Sequence, residues 1–304
     1  MVRGSKSAGE IAGPTEFSEA PPHYSELKRI VKVFMGRPLP VAGLIILVIL
    51  IITAIFAPWI APHDPYKMDF KKKLLPPNSE HYLGTDSIGR DTLSRIIYGS
   101  RNSLMVGLVV ITISGTSGII LGMIAGYRGG VFFHVIMRAM DTMMALPNII
   151  LALIIASMLG GGLKNVIIAL GIGMIPGPTR LMCGVTMSTK QNDYVMAGRS
   201  IGVGDFRMMF RHILPNAFPP LLVMLTVGIG STILMEAGLS FLGIGINPPG
   251  AAWGSMINDG YKFLLTSPVL ALSPGIAIML VVFGFNMVGD GLRDALDPRL
   301  RGLL

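Results

Sequence analysis

Long apolar runs alternate with short polar stretches along this 304-residue chain. A helix of roughly 20 apolar residues crosses a bilayer, because it pairs its own backbone groups where no water can. Runs of that kind stand at 41–61 (VAGLIILVILIITAIFAPWIA), 104–126 (LMVGLVVITISGTSGIILGMIAG), and about 136–159, 164–186, 219–242 and 268–289. They predict an all-α integral membrane protein with six transmembrane helices. The chain then divides into a tail over 1–40, a first span over 41–61, an outer loop over 62–103, a core over 104–290 and a tail over 291–304. The core holds five spans and a polar loop over 187–217. The first run starts too far in and is too long for a signal peptide, so an uncleaved first span is expected. Residues 1–25 read as flexible. Residues 26–38 mix Lys28, Arg29, Lys32 and Arg37 with Leu27, Ile30, Val31, Val33 and Phe34, a pattern that suits an interfacial helix.

Composition agrees with this reading. The chain is 51% hydrophobic and 14% charged, against about 25% charged in soluble domains, and its mean hydropathy is +0.64. The net charge of +8 is explained by the positive-inside bias of cytoplasmic loops, so no nucleic acid is expected as a partner. With the N-terminus inside, Arg128, Arg138, Arg180, Lys190, Arg199, Arg207, Arg211, Arg293, Arg299 and Arg301 lie on the cytoplasmic side. The later outer connections hold only Lys164 and Lys262. The loop over 62–103 runs against the rule with Lys67, Lys71, Lys72, Lys73, Arg90, Arg95 and Arg101. The other loops place both termini in the cytoplasm.

Catalytic signatures are missing. No Lys other than Lys6 precedes a Ser or Thr, and Lys6-Ser7 has no glycine before it, so no phosphate-binding loop is expected. The histidines at 23, 63, 81, 134 and 212 are scattered, and no metal site or cofactor is expected in this chain. Cys183, the lone cysteine, reads as a small buried apolar residue. Within the spans, Gly118, Gly122 and Gly126 share one helix face that lets a neighbouring backbone approach. Pro147, Pro176 and Pro178 permit kinks. Asp141, Glu236, Asp290 and Arg293 put charge at membrane depth or at span ends. Asp141 has two readings, a pair with Arg138 three residues back or a place on a translocation path. Glu236 has two as well, a hydrogen bond to another helix or a substrate contact.

The segment MAGRSIGVGDFRMMFRHILPNA, 196–217, is charged and punctuated by glycine between two spans. Residues 193–201 have helical composition, with Asn192 and Asp193 as candidate N-caps and Gly202 and Gly204 as stops. Residues 206–214 suit a resumed helix, and Pro215 a break before the fifth span. A short helix held outside the bilayer makes a handle for a soluble partner.

This segment resembles the EAA loop of ABC importer permeases: Glu-Ala-Ala, three residues, Gly, nine residues, Ile, any residue, Leu-Pro. Gly202 aligns with the glycine and puts Met196, Ala197 and Gly198 on Glu-Ala-Ala, and His212, Leu214 and Pro215 on Ile, Leu and Pro. Met196, Gly198 and His212 depart from it, and methionine for glutamate removes a charge. LGTDSIGRDTLSRIIYGSRNSL (83–104), AGYRGG (125–130), EAGLSFLGIGINPPGAAWGSM (236–256) and GDGLRDALDPRLR (289–301) resemble the second permease subunit of the dipeptide/oligopeptide/nickel family. The resemblance implies a type I ABC importer permease fold in a bacterial or archaeal plasma membrane, as half of a heterodimeric pore with a second permease subunit. It also implies two cytoplasmic ATPase subunits that bind ATP and magnesium, and an extracytoplasmic substrate-binding protein. Coupling is then expected from Asp193, Met196, Ala197, Gly198, Gly202, Arg207, Arg211, Leu214 and Pro215, with Arg207 and Arg211 contacting the ATPase or membrane lipid. The cargo is a di- or oligopeptide; nickel or glutathione are alternatives on the same machinery. A gradient-driven transporter is the reading of another class.

Overall fold

The computed structural model describes residues 23–246 and 249–297. The flexible tail expected over 1–25 falls almost wholly outside them, as do Arg299 and Arg301. In chain order the helices are α1 (His23–Met35), α2 (Pro38–Ile55), α3 (Ala57–Ile60), α4 (Thr92–Arg128), α5 (Gly130–Met144), α6 (Asn148–Met158), α7 (Leu163–Gly173), α8 (Pro176–Thr189), α9 (Asp193–Ser200), α10 (Asp205–Arg207), α11 (Leu214–Phe241), α12 (Trp253–Tyr261) and α13 (Val269–Leu296). A π-helical turn over Met208–Ile213 joins α10 to α11. No strand occurs among the described residues; a single bridge links Thr85 to Asp91.

Five helical segments are long and apolar enough to cross a membrane, and a sixth if one bent pair is a single span. That pair is the third span expected over about 136–159, and the kink that Pro147 permits is a sharp one: α5 and α6 meet at 89°. Pro147 supplies no N–H, and its ring disfavours helical backbone at Leu146, so the chain turns there. The first span also stops early, at Ile55, and Pro58 opens the separate short α3.

The second span begins much earlier than the apolar run suggested. Asp91 caps α4, its Oδ2 accepting from the Ser94 amide at 2.8 Å. At 37 residues and ~1.5 Å per residue, α4 outreaches a hydrocarbon layer of about 30 Å. Its first turns instead carry the 62–91 loop. There Arg90 and Arg95 are buried. Arg90 Nε donates to Asp86 Oδ2 at 2.6 Å and its Nη2 lies 3.7 Å from Asp259 on α12; Arg95 lies 3.8 Å from Asp86. These pairs account for two of the seven basic residues that ran against the charge rule, Arg90 and Arg95: they build a folded cap.

Helix α12 was not legible as an element. Trp253 anchors it, 1% exposed, with Nε1 donating to the Ile96 carbonyl at 3.0 Å. Gly99 makes room for the ring, since a Cβ there would stand 2.7 Å from it.

The glycine stripe behaves as its spacing predicted. Cβ atoms on Gly118, Gly122 and Gly126 would stand 2.6 Å from Pro178, 2.3 Å from the Thr179 carbonyl and 2.7 Å from the Cys183 carbonyl. The second and fourth spans therefore pack backbone to backbone. Cys183 is buried in that seam.

Candidate functional site

Opposite the cap, α9 and the turn after it project beyond the apolar spans. Asn192 holds the N-cap backbone conformation, but neither it nor Asp193 makes the side-chain cap expected of them. Asp193 stands in the first turn, where its charge suits the helix dipole. Val195 is the buried residue of α9. It packs in one cluster with Met123, Tyr127, Met182, Met208, Ile213, Ala217 and Leu221.

The stop at Gly202 is as expected. Its φ is +81°, the Gly202 amide donates to the Arg199 carbonyl at 3.0 Å, and the Val203 amide donates to the Gly198 carbonyl at 3.0 Å. This is a Schellman turn, which needs left-handed backbone at that position. Gly204 is not a second stop: it is extended and leads into α10. A Cβ on Gly198 would meet the Met208 methyl at 2.7 Å, so the third position of the motif holds a small residue.

Pro215 does not break the chain before the fifth span. The helical path runs on from Asp205 to Phe241. The π turn absorbs the missing proline amide, with the Leu214 amide donating to Met209 five residues back. Pro215 then sits in the first turn of α11, where its lack of an N–H does no harm. Leu214 is half-buried, while Arg207, Arg211 and Pro215 are exposed.

Side-chain contacts tie α9 and α10 to the spans. Tyr127, 2% exposed at the end of α4, donates from its hydroxyl to Asp205 Oδ1 at 2.9 Å. Its carbonyl accepts from Lys190 Nζ at 2.7 Å, and Arg199 stacks over its ring at 5.2 Å. Asn216 on α11 donates to the Tyr194 hydroxyl at 3.0 Å. Sequence alone does not single out Tyr127; the AGYRGG run that contains it, at the end of a span, is the available signal. Around this latch Met196, Ile201 and Phe206 are exposed, at 50%, 83% and 71%, beside Ala197, Arg207 and Arg211. The result is an exposed apolar rim with basic neighbours, held by buried anchors.

The pairing of the membrane-depth charges differs from that expected. Asp141 on α5 pairs with Arg180 on α8, not with Arg138, because α5 lies against α8 and brings the guanidinium to it. The pair is half-exposed and lines an open groove of about 590 Å³ with His134, Met137 and Gly184. Glu236 is wholly buried. Its Oε1 accepts from Ser240 Oγ on the same helix at 2.6 Å, which replaces the expected bond to another helix, and Oε2 has no partner.

The pattern described as binding-protein-dependent transport system inner membrane component matches residues 118–302. That of the N-terminal TM domain of oligopeptide transport permease C matches residues 25–77. The chain is 41% identical to the probable D,D-dipeptide transport system permease protein DdpC of Escherichia coli, over 90% of this chain and 92% of that one. It is 43% identical to the dipeptide transport system permease protein DppC of Haemophilus influenzae (85% and 90%), and 39% identical to the glutathione transport system permease protein GsiD of Pectobacterium atrosepticum (88% and 89%). Among solved structures, an inward-facing MetNI methionine ABC transporter chain shares the fold at a TM-score of 0.56 and 17% identity, covering 67% of this chain and 98% of that one.

Proposed function

The chain belongs to the family of binding-protein-dependent transport system inner membrane components, and we propose that it forms half of a heterodimeric ABC importer pore for di- or oligopeptides. The observation that carries the coupling part is the anchored α9 handle. Val195 and Tyr127 fix its inner side, and Met196, Ile201, Phe206 and Arg207 face outward. A soluble ATPase subunit seated on that surface would move α9 as a lever. The Tyr127–Asp205 and Asn216–Tyr194 contacts would carry the displacement into α4 and α11. The glycine seam between α4 and α8 makes those spans move as one body.

This reading puts the α9 end and both termini in the cytoplasm, where Lys190, Arg199, Arg207 and Arg211 satisfy the positive-inside bias. ATP and magnesium are bound by the partner ATPases, since this chain carries no phosphate-binding loop. The cap of 62–91 with α12 faces the other side and receives the substrate-binding protein. The half-exposed Asp141–Arg180 pair faces the second permease subunit across the pathway: a charged pair open on a span surface is costly against lipid and suits a water-filled cavity.

Dipeptide permeases lead the relatives, and a glutathione permease stands beside them. Uptake of labelled dipeptide, longer peptide, glutathione and nickel is the test, in vesicles holding the whole complex beside an ATPase-dead control. ATP-dependent accumulation of a peptide is expected. Uptake that persists in the ATPase-dead control overturns the driving force, and nickel or glutathione as the sole cargo overturns the substrate.

A further inference from the structure

We propose that His63, His81 and Asp91, in the cap, form a binding site for a divalent transition-metal ion of the zinc and nickel class. In sequence these residues are 18 and 10 positions apart and carry no motif. The fold brings one ligand atom of each within 4.8 Å of the others. The His63 and His81 rings lie 4.6 Å apart between centroids. Two imidazoles and a carboxylate are donors that such ions prefer.

The cluster is built rather than incidental. His81 is 6% exposed and Asp91 3%. His81 Nδ1 lies 2.9 Å from Asp91 Oδ1, while Asp91 Oδ2 accepts from the Ser94 amide at 2.8 Å and from its hydroxyl at 2.7 Å. His63 is held from both sides: its amide donates to Ser94 Oγ at 3.0 Å, and its ring Nε2 meets the Glu80 carbonyl at 2.8 Å. Ser94 Oγ thus links the His63 backbone amide to Asp91, and Asp91 links on to His81.

The second observation is a buried polar atom left over. His81 Nε2 has no hydrogen-bond partner, and buried polar groups are normally satisfied. With Nδ1–H given to Asp91, Nε2 carries a lone pair, which is what a metal ion takes, and Asp91 then serves as the outer carboxylate that orients the ring. A zinc shell with bonds of about 2.0–2.1 Å sets tetrahedral ligand atoms roughly 3.4 Å apart.

An ion here would tie the start of the 62–91 loop to the N-cap of α4 and stiffen the cap. The inference stands apart from the transport reading and is tested without it. The full chain, purified in detergent through an affinity tag free of histidine, is loaded with zinc, desalted and assayed for metal by mass spectrometry. Cobalt absorption in the visible range serves as an independent readout. Wild type is expected to retain stoichiometric zinc, and His63→Ala and His81→Gln to weaken binding by at least about tenfold, the loss that even an outer partner of a metal site causes. His134→Ala, on α5, should match wild type. His63→Ala keeps the His81–Asp91–Ser94 network and is the variant expected to stay monodisperse; if His81→Gln does not fold, the His63→Ala and cobalt results decide. No zinc retained by wild type, or equal retention by wild type and His63→Ala, overturns the proposal.

Discussion

Replacing Gly202 separates backbone conformation from packing at the handle. Its φ of +81° lies in the left-handed region, and a Cβ built there meets nothing within 4 Å. A substitution is therefore opposed by backbone strain alone, with no clash to relieve. A single left-handed residue costs about 1–2 kcal/mol with an ordinary Cβ, and a β-branched side chain lies at the upper end or beyond. Asn tolerates that conformation better. Spread over a whole permease such a cost leaves folding intact, but it falls on the two Schellman hydrogen bonds that end α9. Gly202→Val is expected to yield normal amounts of assembled complex and to uncouple it: ATP hydrolysis continues while uptake falls. Gly202→Asn should recover most of the uptake. The assay is ATPase rate and labelled-peptide uptake measured on the same reconstituted vesicles. If valine and asparagine behave alike, or if valine transports normally, the strained turn is not what couples the handle to the pore.

Other perturbations test other joints. Gly122→Val pushes a side chain into the Thr179 carbonyl and Met182; overpacking of this kind costs roughly 1–3 kcal/mol, so the detergent-solubilised protein should melt at a lower temperature, and an unchanged melt would refute the close seam. Tyr127→Phe removes one hydrogen bond, worth about 0.5–1.5 kcal/mol, and keeps the ring; faster amide exchange over 193–210 with unchanged exchange in the spans is expected, and unchanged exchange throughout would mean Tyr127 is no latch. Glu236→Gln retains an acceptor for Ser240 and removes a buried carboxylate, so folded yield should hold or rise with substrate preference unchanged; a changed preference measured by competition uptake would put Glu236 on the path.

Much of this protein follows from local chemistry. Lipid demands long apolar helices, so the six runs are readable without tertiary information, and only the bend at Pro147 and the stops at their ends moved. The glycine stripe over 118–126 and the turn at Gly202 were legible for the same reason: a backbone approach needs small residues, and left-handed φ favours glycine. What remained hidden depends on which distant residues meet. Asp141 carried its charge openly, but Arg180 became its partner only when α5 lay against α8. Tyr127 gave no sign of latching Asp205, 78 positions away. Helix α12 is short and takes its stability from Trp253 filling the space over Gly99. His63, His81 and Asp91 are unremarkable along the chain and adjacent only in the folded cap. Hydropathy and backbone preference are written residue by residue; pairing across the bundle is decided by packing, which no single stretch of sequence contains.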